Sequence, residues 1–537
     1  MMRPPEQVMR LDRMGAAHPT RLSFLRILLR RARREAWRVT RPVRALDAQG
    51  FGRAVYAVHM PRGTVSLVAF SQNLPPERRT DRVIAEAWDT SYVLYDGVPD
   101  EAELARLAAA VPLQEAGRYT ERDLVLSRAN KSVRLFESVA RSLASGAQPD
   151  AATVESVGYL MRTTAVYGNG KFGLADRDRI AARPEFVAPF QAEMLTVWLI
   201  RAFTVDLVEH RARALAPAAA RLAPALRRRF GVGNATGLGM APFLVRHPLL
   251  LHRWIAARET ALARVRALPA PAAWPQFARH LHAARLALAH WRTEDPVQAP
   301  RIAALRADLD RLATRPRQSW DQLYAWAESS LSLEGQEYLV SLLLEPHGAL
   351  IDDLAETLSA DEEAATAIDA RMECGALRAL IARDYPWALA LDFSHPATTA
   401  RFWYVSAEKL EPRLGERAAE MGAEREQPLG FARDVSLLFA TLPSEGTIAA
   451  FLLQHPEWRH VVRHVQIAAR HPYAEIRDNL LGAAMRPIDL LRCKLAQFGA
   501  ARFDPRSDRW LRITLFQGAP FPEELALAEE DALGRAA

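Results

Sequence analysis

The chain is poor in lysine, asparagine and cysteine. Its 537 residues include 66 arginines but only four lysines and five asparagines. The two cysteines, Cys374 and Cys493, lie far apart and share no Cys-x-x-Cys or metal-ligand spacing, which argues against a disulfide framework and predicts a reducing, cytoplasmic compartment. A compact ammonium and a planar amide do what a guanidinium cannot, so the positions that keep Lys or Asn indicate where to look for function.

Long hydrophobic runs are also lacking. The most apolar stretch, 186–208, is interrupted by Glu193 and Arg201. It is therefore too polar for a transmembrane segment, and we expect none; a helix that is buried on most of its circumference is predicted there instead.

Several familiar motifs are absent as well. The sequence contains no P-loop, no Gly-x-Ser-x-Gly nucleophile elbow and no kinase signature. His460 and His464 have the spacing of metal ligands on a helix, but arginines beside them would repel a cation, so no metal site is predicted. The sequence identifies no cofactor.

The positive charge is concentrated near the start of the chain. The formal net charge is +7, and residues 1–46 alone carry +9, which leaves −2 for the rest. Residues 21–44 mix leucine, isoleucine and tryptophan with arginine and predict an amphipathic helix that ends before Pro42. Such a helix either packs its leucine face on the body or attaches the protein to nucleic acid or an anionic membrane surface.

The hydrophobic pattern changes its period along the chain. Residues 53–60 and 64–70 are rich in β-branched and aromatic residues and flank a turn signal at Pro61-Arg-Gly63, which predicts a hairpin. From about residue 100 the period is helical, including 120–145 and 150–166, while 508–517 is typical of a strand. We predict a mainly α fold (α+β overall): a large multi-helix body with a small antiparallel sheet near the N-terminus, completed by a C-terminal strand.

Four regions follow from these patterns. They are a basic N-terminal arm (1–46), a small β-rich unit (47–99), a helical body that divides near 269–300 (100–500), and a C-terminal strand and tail (501–537).

The strongest candidate site lies within 159–173, where Gly168, Gly170 and Gly173 allow several backbone N–H groups to face one point. Side-chain donors surround these glycines, a chemistry that suits a carboxylate or a phosphate. The residues that could contact such a ligand are Arg162, Thr163, Thr164, Asn169, Gly170 and Lys171. A helix C-cap followed by a polar loop would use the same glycines.

Two further segments are candidate walls of the same site. The glycine-rich stretch 231–239 offers Asn234 and Thr236 but follows a helical pattern, so a dinucleotide fingerprint is excluded; close helix packing is the alternative. The stretch 401–417 begins with Arg401, Trp403 and Tyr404, which could clamp an anion against aromatic rings, or else form part of a solvated charged face.

The function predicted from these segments is binding of a small anionic metabolite, a carboxylate or a phosphate, in a pocket between helices, with or without catalytic turnover. If the protein is an enzyme, Lys171 is the expected catalytic group, since burial can tune its pKa, and Tyr167 assists it. The alternative is a helical binding or scaffold protein that attaches through its basic arm to nucleic acid, an anionic membrane or a protein partner.

Overall fold

A computed structural model describes residues 2–8, 24–74, 88–112, 120–163, 180, 183–186, 191–234, 247–269, 274–289, 298–356, 358, 365–394, 430–474 and 513–525. The chain forms two compact units. Residues 24–237 and 512–537 form the first, here called the sheet unit, and residues 1–23 and 238–511 form the second, the helical unit. The finer boundaries that the sequence suggests stay predictions.

Helices predominate, and the structure is 57% helical. In chain order they are α1 (Pro5–Val8), α2 (Phe24–Arg34), α3 (Glu101–Ala110), α4 (Phe136–Ala144), α5 (Ala151–Val157), α6 (Gln191–Leu215), α7 (Pro224–Arg229), α8 (Pro248–Arg266), α9 (Trp274–Ala289), α10 (Gln298–Ala313), α11 (Trp320–Ser330), α12 (Leu333–Leu344), α13 (Gly348–Ala355), α14 (Cys374–Asp384), α15 (Pro386–Leu389), α16 (Gly430–Thr441), α17 (Ile448–Gln454) and α18 (Arg459–Arg470). Short 3-10 turns cover Glu345–His347, Pro456–Trp458 and Pro522–Glu524. In the described part of the chain, no helix is both long and apolar enough to cross a membrane.

The sheet unit is built on one mixed sheet of eight strands, which curls into a half-barrel. The strands lie side by side in chain order, and every neighbouring pair is antiparallel except β6 and β7, which are parallel. They are β1 (Arg38–Leu46), β2 (Gly52–Met60), β3 (Gly63–Ser71), β4 (Thr90–Asp96), β5 (Asp123–Lys131), β6 (Tyr159–Thr163), β7 (Gly231–Asn234) and β8 (Ile513–Leu515).

Helices cover both faces of this sheet. On one face α6 packs against the central strands, and its Phe203 meets the rings of Tyr56 and Tyr92 edge-on. On the other face α3 contributes Leu104 and Leu107 to a cluster with valines of β2, β3 and β4. The predicted buried helix within 186–208 is found as α6, most of whose side chains are buried.

The prediction of a small antiparallel sheet is wrong, because the sheet has eight strands and is mixed. The predicted hairpin is present as β2 and β3, joined at Pro61 and Arg62. Four further strands, however, lie where the sequence pattern predicts helix or loop: β1, β5, β6 and β7. The C-terminal strand β8 pairs with β7 rather than with the hairpin.

The helical unit contains a buried network of four charges. The side chain of Arg3, only 4% exposed, donates to both carboxylate oxygens of Glu259 and lies 3.6 Å from Glu337. Arg258 bridges the same two glutamates at 3.2 Å from each. The two guanidinium groups therefore balance the two carboxylates, and this network ties residues near the start of the chain to α8 and α12.

A histidine pair lies in the same unit. The ring centroids of His252 and His471 are 4.7 Å apart, and the Tyr473 N–H donates to His252 Nδ1 at 3.2 Å. Because Nδ1 accepts this hydrogen bond, His252 is neutral there. Burial first, and then the charges of His471 and Arg253, lower the pKa of His252 to about 4.

Candidate functional site

Nine of the twelve predicted site residues lie outside the described residues: Thr164, Tyr167, Asn169, Gly170, Lys171, Thr236, Arg401, Trp403 and Tyr404. The other three lie on β6 and β7. The parallel pairing of these strands places Thr163 beside Asn234 and Arg162 beside Gly233. Two of the three predicted segments thus meet at the sheet, at their described ends.

The polar groups around these residues join neighbouring strands. Thr163 is fully buried, and its hydroxyl donates to the Arg128 carbonyl at 2.8 Å and lies 3.1 Å from the Ser127 hydroxyl. Arg162, 4% exposed, lies opposite Asn130 in the register of β5 and β6. These contacts stabilise the junction of the two strands.

A reciprocal pair of hydrogen bonds ties β5 to the residue before β4. Asn130 Oδ1 accepts from the Asp89 N–H at 2.7 Å, and Asp89 Oδ2 accepts from the Lys131 N–H at 2.9 Å. The Lys131 ammonium lies 5.1 Å from the ring centroid of Phe136 and 5.3 Å from that of Phe51. Asn130 and Lys131, which belong to two residue types that are rare in this chain, therefore have structural roles here.

A concave site lies elsewhere in the sheet unit, beside the edge strand β1. It is a groove of about 720 Å³, a volume within the range of small-molecule sites. Its walls come from the end of α2, the start of β1 and the turn that includes Pro522. The lining residues are Ala32, Arg33, Ala36, Trp37, Arg38, Val39, Arg41, Pro522, Glu523 and Leu525.

The end of α2 shapes one wall of the groove. The backbone N–H of Trp37 donates to the Ala32 carbonyl at 2.9 Å, and the backbone N–H of Ala36 donates to the Arg33 carbonyl at 3.1 Å. These are the two hydrogen bonds of a Schellman motif. Ala36 takes the left-handed conformation that this motif needs, with φ of 51°. The chain reverses there, which buries Trp37 and starts β1 at Arg38.

The edge strand β1 contains a bulge. The register of β1 against β2 shifts between Thr40 and Val43, so Arg41 and Pro42 lie in the irregular part of the strand. Proline has no N–H to offer a sheet and is tolerated at such an edge. The bulge explains why a segment with helical residue types and an internal proline forms a strand.

Two arginines of the groove have no compensating charge within the part of the chain that the structure describes. Among the described residues, neither Arg33 nor Arg38 forms an ion pair or a side-chain hydrogen bond. With Arg41 and Glu523 included, the lining carries three positive charges and one negative charge. The groove therefore has a net positive charge beside the largely apolar surface of Trp37, Val39 and Leu525.

Arg41 is held by a carboxylate behind the groove. Its Nε lies 3.1 Å from Asp206 Oδ2, and its guanidinium stacks 5.3 Å from the ring centroid of Tyr56. The Tyr56 hydroxyl donates to the same Asp206 oxygen at 2.6 Å. Burial first, and then the charge and hydrogen bond of Asp206, raise the pKa of Tyr56 well above 10. Tyr56 thus stays a donor and fixes Asp206, which in turn fixes Arg41.

The opposite wall is anchored by α6. The Trp198 indole donates to the Pro520 carbonyl and the Arg201 guanidinium to the Ala519 carbonyl, both at 2.8 Å. Arg201 also stacks on the Phe521 ring at 3.8 Å. The interruption of the apolar run by Arg201 is therefore structural, since this side chain holds the segment that carries Glu523.

No local pattern predicts this groove directly. Its two walls lie almost 500 residues apart in the chain, and the pattern within 21–44 predicts a helix that continues up to Pro42. The one local signal is Trp37 followed by Arg38, which places an aromatic ring next to a cation shortly before Pro42.

No family model matches the chain, and neither the curated proteins nor the solved structures contain a match. In the described part of the chain, no group of three or more His, Cys, Asp or Glu side chains could hold a metal ion.

Proposed function

We propose that this protein binds a small carboxylate or phosphate compound with an apolar part in the groove beside β1. The observation that carries the proposal is the pair of arginines, Arg33 and Arg38, that have no carboxylate partner among the described residues and flank Trp37. Ligand sites of this size combine apolar walls with a few polar groups that fix orientation. The pocket predicted from 159–173, 231–239 and 401–417 stays a separate prediction.

The net positive charge of the groove favours an anion over a neutral molecule of the same shape. A hydrogen bond to a charged group contributes about 1.5–3 kcal/mol, and a guanidinium can form two parallel ones with a carboxylate or phosphate. Arg33 extends from a packed helix and Arg38 from a paired strand, so their backbones need no ordering when a ligand binds.

The test compares 1-naphthoate with its neutral analogue 1-naphthamide by isothermal titration calorimetry on the full chain. We expect the carboxylate to bind and the amide to bind at least tenfold more weakly, because one charge-assisted contact amounts to about that factor. Replacing Arg33 and Arg38 together with glutamine should abolish this preference. Arg134→Gln is the matched control, since Arg134 is exposed in the same unit and forms no ion pair with the described residues.

Attachment through the basic arm is the second candidate. Within 24–46, Ile27, Leu28 and Leu29 are buried and β1 is part of the sheet. Arg38, Arg41 and Arg44 are nevertheless exposed on that edge strand. If the Arg33 and Arg38 variant loses affinity for duplex DNA or anionic vesicles in a salt-dependent way, while naphthoate never binds, this second function replaces the first.

We also propose a reducing compartment such as the cytoplasm. The support is the cysteine usage: Cys374 is a buried free thiol on α14, and Cys493 is the one other cysteine of the chain. Burial, followed by the charge of Glu373, raises the pKa of Cys374, which disfavours a nucleophilic role.

A further inference from the structure

The groove already contains an anion that belongs to the protein. Glu523 lines it from the turn Pro522–Glu524, lies 3.7 Å from Arg41 and forms a second ion pair with Arg227. Its side chain is 42% exposed, so it sits at the surface of the groove rather than in the core.

The positive charges of the groove are therefore of two kinds. Arg41 faces two carboxylates, Asp206 and Glu523, while Arg33 and Arg38 face none among the described residues. A ligand with one anionic group gains the full attraction of Arg33 and Arg38. A ligand with two anionic groups gains nothing further from Arg41 and brings its second charge close to the Glu523 carboxylate.

We propose that Glu523 is a specificity-determining residue that makes the groove select amphipathic monoanions, such as aryl or alkyl monocarboxylates, over dianions. This inference rests on the proposed anion-binding function. The apolar body of the ligand packs on Trp37, Val39 and Leu525, and its single charged group binds Arg33 and Arg38.

Glu523 suits this role because its ion pairs with Arg41 and Arg227 are not the contacts that hold its turn in place. The turn itself is held by other contacts: Glu524 accepts from the Phe521 N–H at 2.7 Å, and Arg201 and Trp198 bind the preceding carbonyls. Glu523→Gln keeps the size of the side chain and removes only its charge.

The experiment measures the dissociation constants of 1-naphthoate and 1,4-naphthalenedicarboxylate for the full-length protein by calorimetry at pH 7.5 and low salt. The wild type should bind the monocarboxylate more tightly. In Glu523→Gln the dicarboxylate should gain about tenfold in affinity, the order expected from removing one like charge at close range, while the monocarboxylate changes by less than about threefold.

Glu101→Gln is the control, because it removes an exposed carboxylate in the same unit. Glu101 pairs with Arg53 at 2.7 Å and does not line the groove, so its loss should leave the ratio of the two affinities unchanged. If Glu523→Gln also leaves the ratio unchanged while naphthoate binding still depends on Arg33 and Arg38, the specificity inference is overturned and the proposed function stands. If no binding depends on those two arginines, the proposed function itself is overturned.

Discussion

Removing the guanidinium of Arg3 should destabilise the helical unit severely. In the wild type this side chain donates to both oxygens of Glu259, whose carboxylate is fully buried, and lies 3.6 Å from Glu337. Arg3→Ala leaves two buried carboxylates with Arg258 as their one partner in the network. Breaking a buried ion pair by removing one member costs about 3–5 kcal/mol, because an uncompensated charge remains in a medium of low polarity.

The same change should alter the response to acid. Burial alone raises the pKa of Glu259, but the charges and hydrogen bond of Arg3, with Arg258, outweigh it and lower the pKa below the usual 4.5. A carboxylate with a lowered pKa contributes stability that is present above 4.5 and is lost as the pH falls through the folded-state value. Without Arg3 the pKa of Glu259 rises, so the variant should lose stability at a higher pH than the wild type.

Urea unfolding followed by far-UV circular dichroism at pH 7.5 and across the acid range provides the measurement. Arg285→Ala is the control, since Arg285 forms a single exposed ion pair with Asp310 in the same unit and such pairs contribute about 0–1 kcal/mol. Arg3→Lys keeps the positive charge but loses the bidentate guanidinium, so its loss of stability should lie between those of Arg3→Ala and Arg285→Ala. A loss for Arg3→Ala no larger than that of the control would refute the network as an element of stability.

Two further predictions concern the stability of single variants. Ala36→Gly should raise the free energy of unfolding by about 0.5–1 kcal/mol, because φ is 51° at this position and glycine adopts that conformation without a steric penalty; a lower midpoint in thermal unfolding would contradict the Schellman geometry. His252→Asn should flatten the pH dependence of stability: the pKa of His252 is lowered to about 4, so its contribution is present above 6.5 and is lost as the pH falls towards 4. The expected loss in the wild type is about 1–2 kcal/mol once solvent screening of the half-buried ring is allowed for, and an unchanged slope in the variant, whose amide oxygen can still accept from Tyr473, would exclude this origin.

The parts of the fold that could be predicted are those encoded by local pattern. The hairpin of β2 and β3 was predicted because β-branched residues flank a turn at Pro61-Arg-Gly63, and α6 because its apolar run is long. The strands that were missed have no such pattern. Residues 231–234, Gly-Val-Gly-Asn, form a strand only because β6 and β8 pair with both of its edges.

Tertiary contacts also overruled local propensity at the basic end of the chain. Residues 21–44 have the composition of one amphipathic helix, but Ala36 ends the helix in a left-handed turn and the following residues pair with β2. The groove arises at this break. Its other wall, residues 522–525, is brought there by Arg201 and Trp198 of α6, and pairings over such separations leave no trace in a single sequence.

The pairing of β7 with β8 also has a consequence for synthesis. Asn234 and Ile513 are register partners, yet most of the helical unit is encoded between them. At a translation rate of 5–20 residues per second, about 15–55 seconds separate the two strands as they leave the ribosome. During that interval the hydrogen-bonding edge of β7 has no partner from β8, and an unprotected sheet edge is a site of aggregation. The nascent chain therefore depends on a strand of three residues, synthesised late, to cover the edge of β7. Premature termination anywhere in the inserted region would leave that edge unpaired.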